Sequence, residues 1–320
     1  MILATCQHES VKKHGKDRKG NQRYRCRLCG ETWIDQQPKP LGDMRISMRQ
    51  ATLALGMLLE GMAIRAVQRL TGLDRNTICD LILIVGENCQ RLLDSKIRNV
   101  AVEDVQLDEI WSFIGMKEKT RVARGYSEEL GDSWTFVAID RNTKLVLTHQ
   151  VGHRDAETCR EFLHKLNRAT SGRFQLSTDG LAAYTLNVPF VLGNRVDFAQ
   201  LIKSYQSTQE VTRYSPATII SAEKKPQFGN PDWDRISTSH VERMNLTIRM
   251  HGRRFTRLTN AHSKSPKHHV AMQAIFFAWY NFCRKHETLG GKTPAMAAGL
   301  TDNVWVVREL LENAAYAAKR

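Results

Sequence analysis

Three acids sit where their neighbours give a carboxylate something to do. Asp108 lies inside the apolar run Gln106-Leu107-Asp108-Glu109-Ile110-Trp111, Asp179 follows Ser177-Thr178 and precedes Gly180, and Glu242 begins a helical stretch. Strand side chains alternate between faces, so Asp108 and Glu109 are expected on opposite sides of their strand and not in one site. An acid at the carboxyl end of a strand faces the cleft of an α/β sheet. After Glu242, the residues Asn245, Arg249 and Arg253 follow at offsets of three, seven and eleven, which keeps them on its helix face. Carboxylates converging on two divalent cations about 3.5–4 Å apart are one solution to phosphodiester chemistry. One cation activates the attacking oxygen and the other stabilises the leaving oxygen. Mg2+ suits such a site because it takes oxygen ligands and keeps several waters. Spacing alone does not select this triplet, since the chain has 33 acids and Asp140, Asp155 and Asp234 are rivals.

A second group suits a softer metal. Cys26 and Cys29 form a Cys-x2-Cys knuckle before Gly30, and Cys6 with His8 supplies the other half of a four-ligand set, with His14 as a rival. There are seven cysteines, an odd number, and no secretory signal is visible, which argues against a disulfide framework. The first 37 or so residues hold too few apolar side chains to fold by burial. Structural Zn2+ held by Cys6, His8, Cys26 and Cys29 would supply that folding energy.

The elements that must position these groups follow from periodicity. Pro38 and Pro40 mark a linker. Apolar residues then recur at helical spacing, and 64–84 reads as two helices joined at Thr71-Gly72-Leu73-Asp74, the outline of a helix-turn-helix or of a plain helical bundle. Arg75, Asn76 and Thr77 open the second helix, where recognition helices place base-contacting residues. Strands are predicted at 102–114, 134–139, 145–151, 174–178 and 196–202, with a helix over 155–169, so a mixed α/β sheet is expected. Residues 204–237 are polar and aperiodic and read as a long insertion or flexible loop. Helices resume at Thr238 and run on with breaks near Gly252, Pro266 and Gly290-Gly291. His268, His269 and His286 read as surface or packing residues, and Trp279 and Phe282 as core.

Composition narrows the partner. The 320-residue chain carries a formal net charge of +14 and is 42% hydrophobic, which supports a real core and a polyanionic partner, nucleic acid or anionic membrane. Much of the excess lies in 243–292, with ten Lys or Arg against one acid, Glu287. Within this tract Arg253, Arg254 and Arg257 form either a phosphate cradle or a solvated face. The longest apolar run, near 270–283, is broken by Gln273 and Asn281 and is too short to span a bilayer. A cytoplasmic location is expected.

Taken in order, three strings are similar to one family. Gln106-Leu107-Asp108-Glu109-Ile110-Trp111-Ser112-Phe113, then Ser177-Thr178-Asp179-Gly180 with Tyr184, then Ser239-His240-Val241-Glu242-Arg243-Met244-Asn245-Leu246-Thr247-Ile248-Arg249 resemble the core of DDE transposases of the first insertion-sequence (IS1-like) family. The segment Gly15 to Cys26 resembles that family's zinc-binding entry, and Arg254-Phe255-Thr256-Arg257-Leu258-Thr259-Asn260 its post-glutamate region. The resemblance implies a ribonuclease-H-like catalytic fold, with Asp108 on the first strand, Asp179 after the fourth and Glu242 on a later helix. It implies two Mg2+ or Mn2+ ions at these acids. Its implied substrates are double-stranded DNA, as the inverted repeats of a mobile element and as target, acted on by a homo-oligomer assembled on DNA. The expected organisation is a zinc ribbon at 1–40, a helix-turn-helix domain at 41–98, a catalytic domain at 99–290 and a helical tail at 291–320. A structure-specific nuclease on the same fold and a non-catalytic DNA-binding regulator are the competing readings.

Overall fold

The computed structural model describes residues 6, 8–18, 20–34, 39–205, 219–256 and 260–317. It opens with a small antiparallel sheet, β1 (Val11–Lys16), β2 (Gln22–Cys26) and β3 (Thr32–Ile34), in which every residue of β1 is exposed. Three helices follow. α1 (Met48–Leu59) starts in a capping box between Ser47 and Gln50. α2 (Ile64–Thr71) closes on Gly72, whose φ of 70° is the left-handed conformation that glycine adopts without penalty. α3 (Arg75–Lys96) starts at Asp74, whose carboxylate accepts the Asn76 N–H. The two-helix turn thus falls at the predicted tetrapeptide.

Next in the chain are β4 (Val100–Ala101), β5 (Asp104–Ile114), α4 (Glu118–Arg124), β6 (Gly131–Asp140), β7 (Val146–Gly152), α5 (Ala156–Ala169) and β8 (Thr170–Ser171). Then come β9 (Phe174–Thr178), α6 (Ala182–Val191), β10 (Val196–Tyr205), β11 (Ile219–Phe228), α7 (Ser239–His251), α8 (Pro266–Phe282), α9 (Pro294–Ala297) and α10 (Val307–Ala317). The main sheet runs β11-β10-β9-β5-β6-β7. β5, β6 and β7 are an antiparallel meander, while β9 and β10 continue from β5 in parallel. This is the mixed sheet of a ribonuclease-H-like core. The β6–β7 hairpin turns on Asp140, whose carboxylate accepts the Thr143 N–H and hydroxyl. Among the described residues, no helix is long and apolar enough to cross a membrane.

Two features depart from the sequence reading. Residues 219–228, inside the stretch read as an aperiodic loop, form β11 on the edge of the sheet, antiparallel to β10. Glu223, Lys224, Lys225 and Pro226 hid it, and such residues are how an exposed edge is kept from pairing further. Within that stretch, 206–218 lies outside the described residues, and 229–237 holds a 3-10 turn at Trp233–Arg235. The second departure concerns the boundaries drawn at 98 and 290. One hydrophobic cluster runs from Leu41 and Leu55 through Ile82 and Cys89 on α3 to Phe277 on α8 and Leu311 on α10. A Cβ added at Gly86 would lie 2.5 Å from the Ala271 Cβ, so α3 and α8 cross with no room between them. The helical segment and the tail therefore share a core with the sheet.

Candidate active site and metal centres

The register of the sheet brings the first two acids together. Gln106 on β5 pairs with Ser177 on β9, so two residues further on Asp108 lies beside Asp179, just past the end of β9. α7 crosses β5, and the backbone N–H of His240 donates to Gln106 Oε1 at 2.8 Å, which pins the start of the helix that carries Glu242. Asp108, Glu109, Asp179 and Glu242 line one cleft of about 590 Å³ together with Arg154, Lys203, Thr238, Asn245 and Arg249.

Each acid has its own partners. Asp108 accepts from Asn245 Nδ2 at 2.8 Å and from the Glu109 N–H at 2.8 Å. Burial, and then the charge of Asp179, push Asp108 up to about 6. Asp179 Oδ1 accepts the Leu181 N–H at 3.0 Å, while its Oδ2 meets Arg154 at 3.2 Å. Glu242 Oε1 accepts from the Thr238 hydroxyl at 2.5 Å and from Lys203 Nζ.

Glu109 is a correction. It does not stand apart on the far face, because one oxygen each of Asp108, Glu109 and Asp179 lie within 4.8 Å of one another. Alternation separates the Cβ atoms, but β9 has ended by Asp179, and a glutamate is long enough to reach round to that gap. Glu109 accepts from the buried Tyr184 hydroxyl and pairs with Arg154 at 3.2 Å. Burial first, then Asp179, push it up to about 8. Arg154 therefore spans Glu109 and Asp179, with its guanidinium over the Trp134 ring at 4.9 Å. Sequence reasoning passed over Arg154 and Lys203. Arg154 sits in a loop before α5 with no pattern to mark it, and Lys203 lies near the end of β10 among mixed polar and apolar residues that do not single it out.

The donors here are all oxygen, and the buried Asn245 Oδ1 has no hydrogen-bond partner, so the set fits Mg2+ or Mn2+. The N-terminal group fits a different ion. Cys6, His8, Cys26 and Cys29 offer ligand atoms all within 4.8 Å of one another, and His14 is not among them. Zn–S bonds of about 2.3 Å and Zn–N bonds of about 2.0–2.1 Å at tetrahedral angles require S···S near ~3.8 Å and S···N near ~3.6 Å. The Cys6–Cys26 sulfurs are 3.8 Å apart, and Cys29 Sγ is 3.5 Å from His8 Nδ1. The other His8 nitrogen meets the Glu31 carboxylate at 3.2 Å, the usual way a metal-binding imidazole is oriented. Hydrogen bonds from the Cys29 backbone and then the His8 ring pull the Cys26 thiol down to about 6, while burial and the neighbouring Cys26 and Cys6 thiols leave Cys29 raised, so Cys26 is the readier thiolate of the two.

The candidate DNA contacts divide. Arg75 and Asn76 are exposed at the start of α3 and Thr77 is half-buried there. Asn245 and Arg249 line the acid cleft. Arg253 is exposed, but on a 3-10 turn after α7 has ended, so it does not continue the Glu242 face. Arg254 departs from the cradle reading: its guanidinium turns inward and donates to the His268 carbonyl at 2.6 Å. Burial draws its pKa down to about 10. Arg257 lies outside the described residues. Arg253→Ala is expected to lower the slope of DNA affinity against salt by roughly one. Arg254→Ala is expected to leave that slope unchanged and to destabilise the fold by about 1–3 kcal/mol. Salt titration alongside urea denaturation separates the two, and a slope lowered by Arg254→Ala would restore the cradle.

Comparison with known proteins places these motifs. The IS1 transposase family model matches residues 101–215, a stretch that holds Asp108, Asp179 and β5 to β10 but ends before Glu242. The insertion element iso-IS1n protein InsB of Shigella dysenteriae is 26% identical over 177 residues, covering 55% of this chain and 95% of that protein. A cryo-EM structure of piggyBac transposase in a synaptic complex with hairpin DNA aligns over 88% of this chain and 72% of its own, at 9% identity. Its TM-score of 0.36 is too low to bear on the fold. The family match covers the first two of the three motifs and, with the insertion-element relative, agrees with the resemblance they carry: this chain is similar to IS1 transposases.

Proposed function

We propose that the chain is a DDE transposase that cleaves the ends of an insertion sequence and joins the freed 3′-hydroxyl to target DNA. The observation that supports this best is the single cleft onto which Asp108, Asp179 and Glu242 all open, beside Asn245 and Arg249. In this reading the ionised carboxylates of Asp108, Asp179 and Glu242 hold two Mg2+ or Mn2+ ions. Those ions supply the charge that activates the attacking oxygen and stabilises the leaving one. Asn245 fixes the Asp108 carboxylate, and Arg249 meets the phosphate backbone. Zn2+ at Cys6, His8, Cys26 and Cys29 holds the N-terminal sheet, and residues 1–98 read the element ends.

The test is a product analysis. A pre-cut element end incubated with plasmid and Mg2+ is expected to give joined product, and chelation is expected to abolish it. Nicked DNA without joined product would favour a nuclease instead. End recognition is tested separately. Arg75→Ala and Asn76→Ala are expected to weaken specific binding by roughly 1–3 kcal/mol per base-reading contact while non-specific binding persists. Unchanged discrimination between element end and random duplex would remove α3 from recognition.

A further inference from the structure

Glu242 is separated from the other acids. The oxygens that lie within 4.8 Å of one another belong to Asp108, Glu109 and Asp179, and Glu242 is not in that group. It is held instead by the Thr238 hydroxyl and by Lys203 Nζ on the same oxygen, Oε1. The Lys203 side chain is 16% exposed although its partner carboxylate is 45% exposed. A lysine at a solvent-facing site would leave its ammonium in water, and here it lines the cleft together with Leu181, Leu201 and Ile202.

A divalent cation drawn to the Glu242 carboxylate repels the Lys203 ammonium and competes with it and the Thr238 hydroxyl for Oε1. An ammonium displaced in this way has its options set by β10. Gln200, three residues earlier, is paired in register with Thr178, so the Lys203 backbone is held one strand away from Asp179. A flexible four-carbon stem on a fixed backbone can reach only other parts of the same cleft. The group of matching charge that enters that cleft is the DNA phosphate being cut or joined.

We propose that Lys203 is a phosphate-contacting residue of the reaction site, parked on Glu242 until a divalent cation takes that carboxylate. The proposal rests on the transposase reading of this cleft. It makes Lys203 an internal placeholder that lowers cation affinity in the absence of DNA and adds a donor to the phosphate in its presence. Removing it should therefore strengthen one binding event and weaken the other, a pattern that a purely structural lysine does not produce.

The experiment uses the full chain. Mn2+ is titrated into the DNA-free protein, and affinity for a duplex with a pre-cut 3′ end is measured against salt in Ca2+. Lys203→Met is expected to bind Mn2+ several-fold to about tenfold more tightly than the parent. It is also expected to lose about one from the salt slope and to join ends poorly, while Lys203→Arg keeps the slope. Unchanged or weaker Mn2+ affinity in Lys203→Met, or an unchanged slope, overturns the proposal. If Asp108→Asn leaves Mn2+ affinity unaltered, the cleft is not the cation site, and the transposase reading of it falls together with the role given to Lys203.

Discussion

Asp108→Asn, Asp179→Asn and Glu242→Gln are each expected to lower end joining by at least about 10³-fold while leaving end binding intact. The magnitude follows from the charge: a neutral amide of the same shape no longer holds a dication against water, and a lost barrier reduction of about 4 kcal/mol is a factor of about 10³. Binding persists because the proposed end-reading surface at Arg75 and Asn76 opens α3, away from the acids. Burial first, and then neighbouring carboxylates, disfavour the charged forms of Asp108 and Glu109 in the absence of a cation. Asp108 is raised to about 6 and Glu109 to about 8, so the metal-free native state holds protons that the unfolded chain has released. Stability contributed by these groups is therefore greatest at acid pH and falls as pH rises through these values. Asp108→Asn is expected to stabilise the metal-free protein at pH 8 by about 1–3 kcal/mol as it abolishes joining. Thermal denaturation in chelator checks the sign, and a destabilised Asp108→Asn would mean that the carboxylate serves the fold. Glu109→Gln is expected to impair joining less than the three, since an amide still accepts from Tyr184 but no longer anchors Arg154 beside Asp179.

Removing zinc is expected to unfold the N-terminal sheet. The strands offer almost no burial of their own, with β1 exposed throughout and β3 no better than half-buried. Metal ligation would then provide the folding energy, which in small zinc modules is about 10–16 kcal/mol. Purified protein is expected to carry about one zinc per chain, and the Cys26→Ser, Cys29→Ser double variant none. That variant should lose the amide protection of residues 11–34, keep the cooperative melting of the sheet and α3–α8 core, and bind element ends more weakly. A zinc-free chain with this sheet still protected from exchange would exclude the metal.

Much of the site was legible because its residues sit at places where local physics is strict. Asp108 is a polar residue in a buried strand, Asp179 follows the end of a strand and precedes a glycine, and Glu242 falls in the first turn of a helix. The motifs resembling IS1 transposases then selected these three from many acids. The Cys-His group was legible from spacing and the lack of a local core, but the choice of His8 over His14 was set by tertiary contact. What escaped was set by tertiary contact. Glu109 was assigned by alternation, which governs Cβ direction but not how far a glutamate reaches beyond a neighbouring strand's end. Arg154 and Lys203 matter only because the sheet register brings Asp179 to Arg154 and the docking of α7 on β5 brings Glu242 to Lys203. Arg254 looked like one more base in a basic tract until the packing of the turn after α7 on α8 turned it inward. β11 was missed because edge strands carry the charge and proline that mark loops.

The chemistry assigned to the acids comes down to whether they hold the cations. The most direct measurement is Mn2+ titration of the protein bound to a pre-cut end, comparing the parent chain with Asp179→Asn. About two ions per cleft are expected for the parent, and the loss of at least one for Asp179→Asn in step with joining. Two ions bound at unchanged affinity by Asp179→Asn would contradict it.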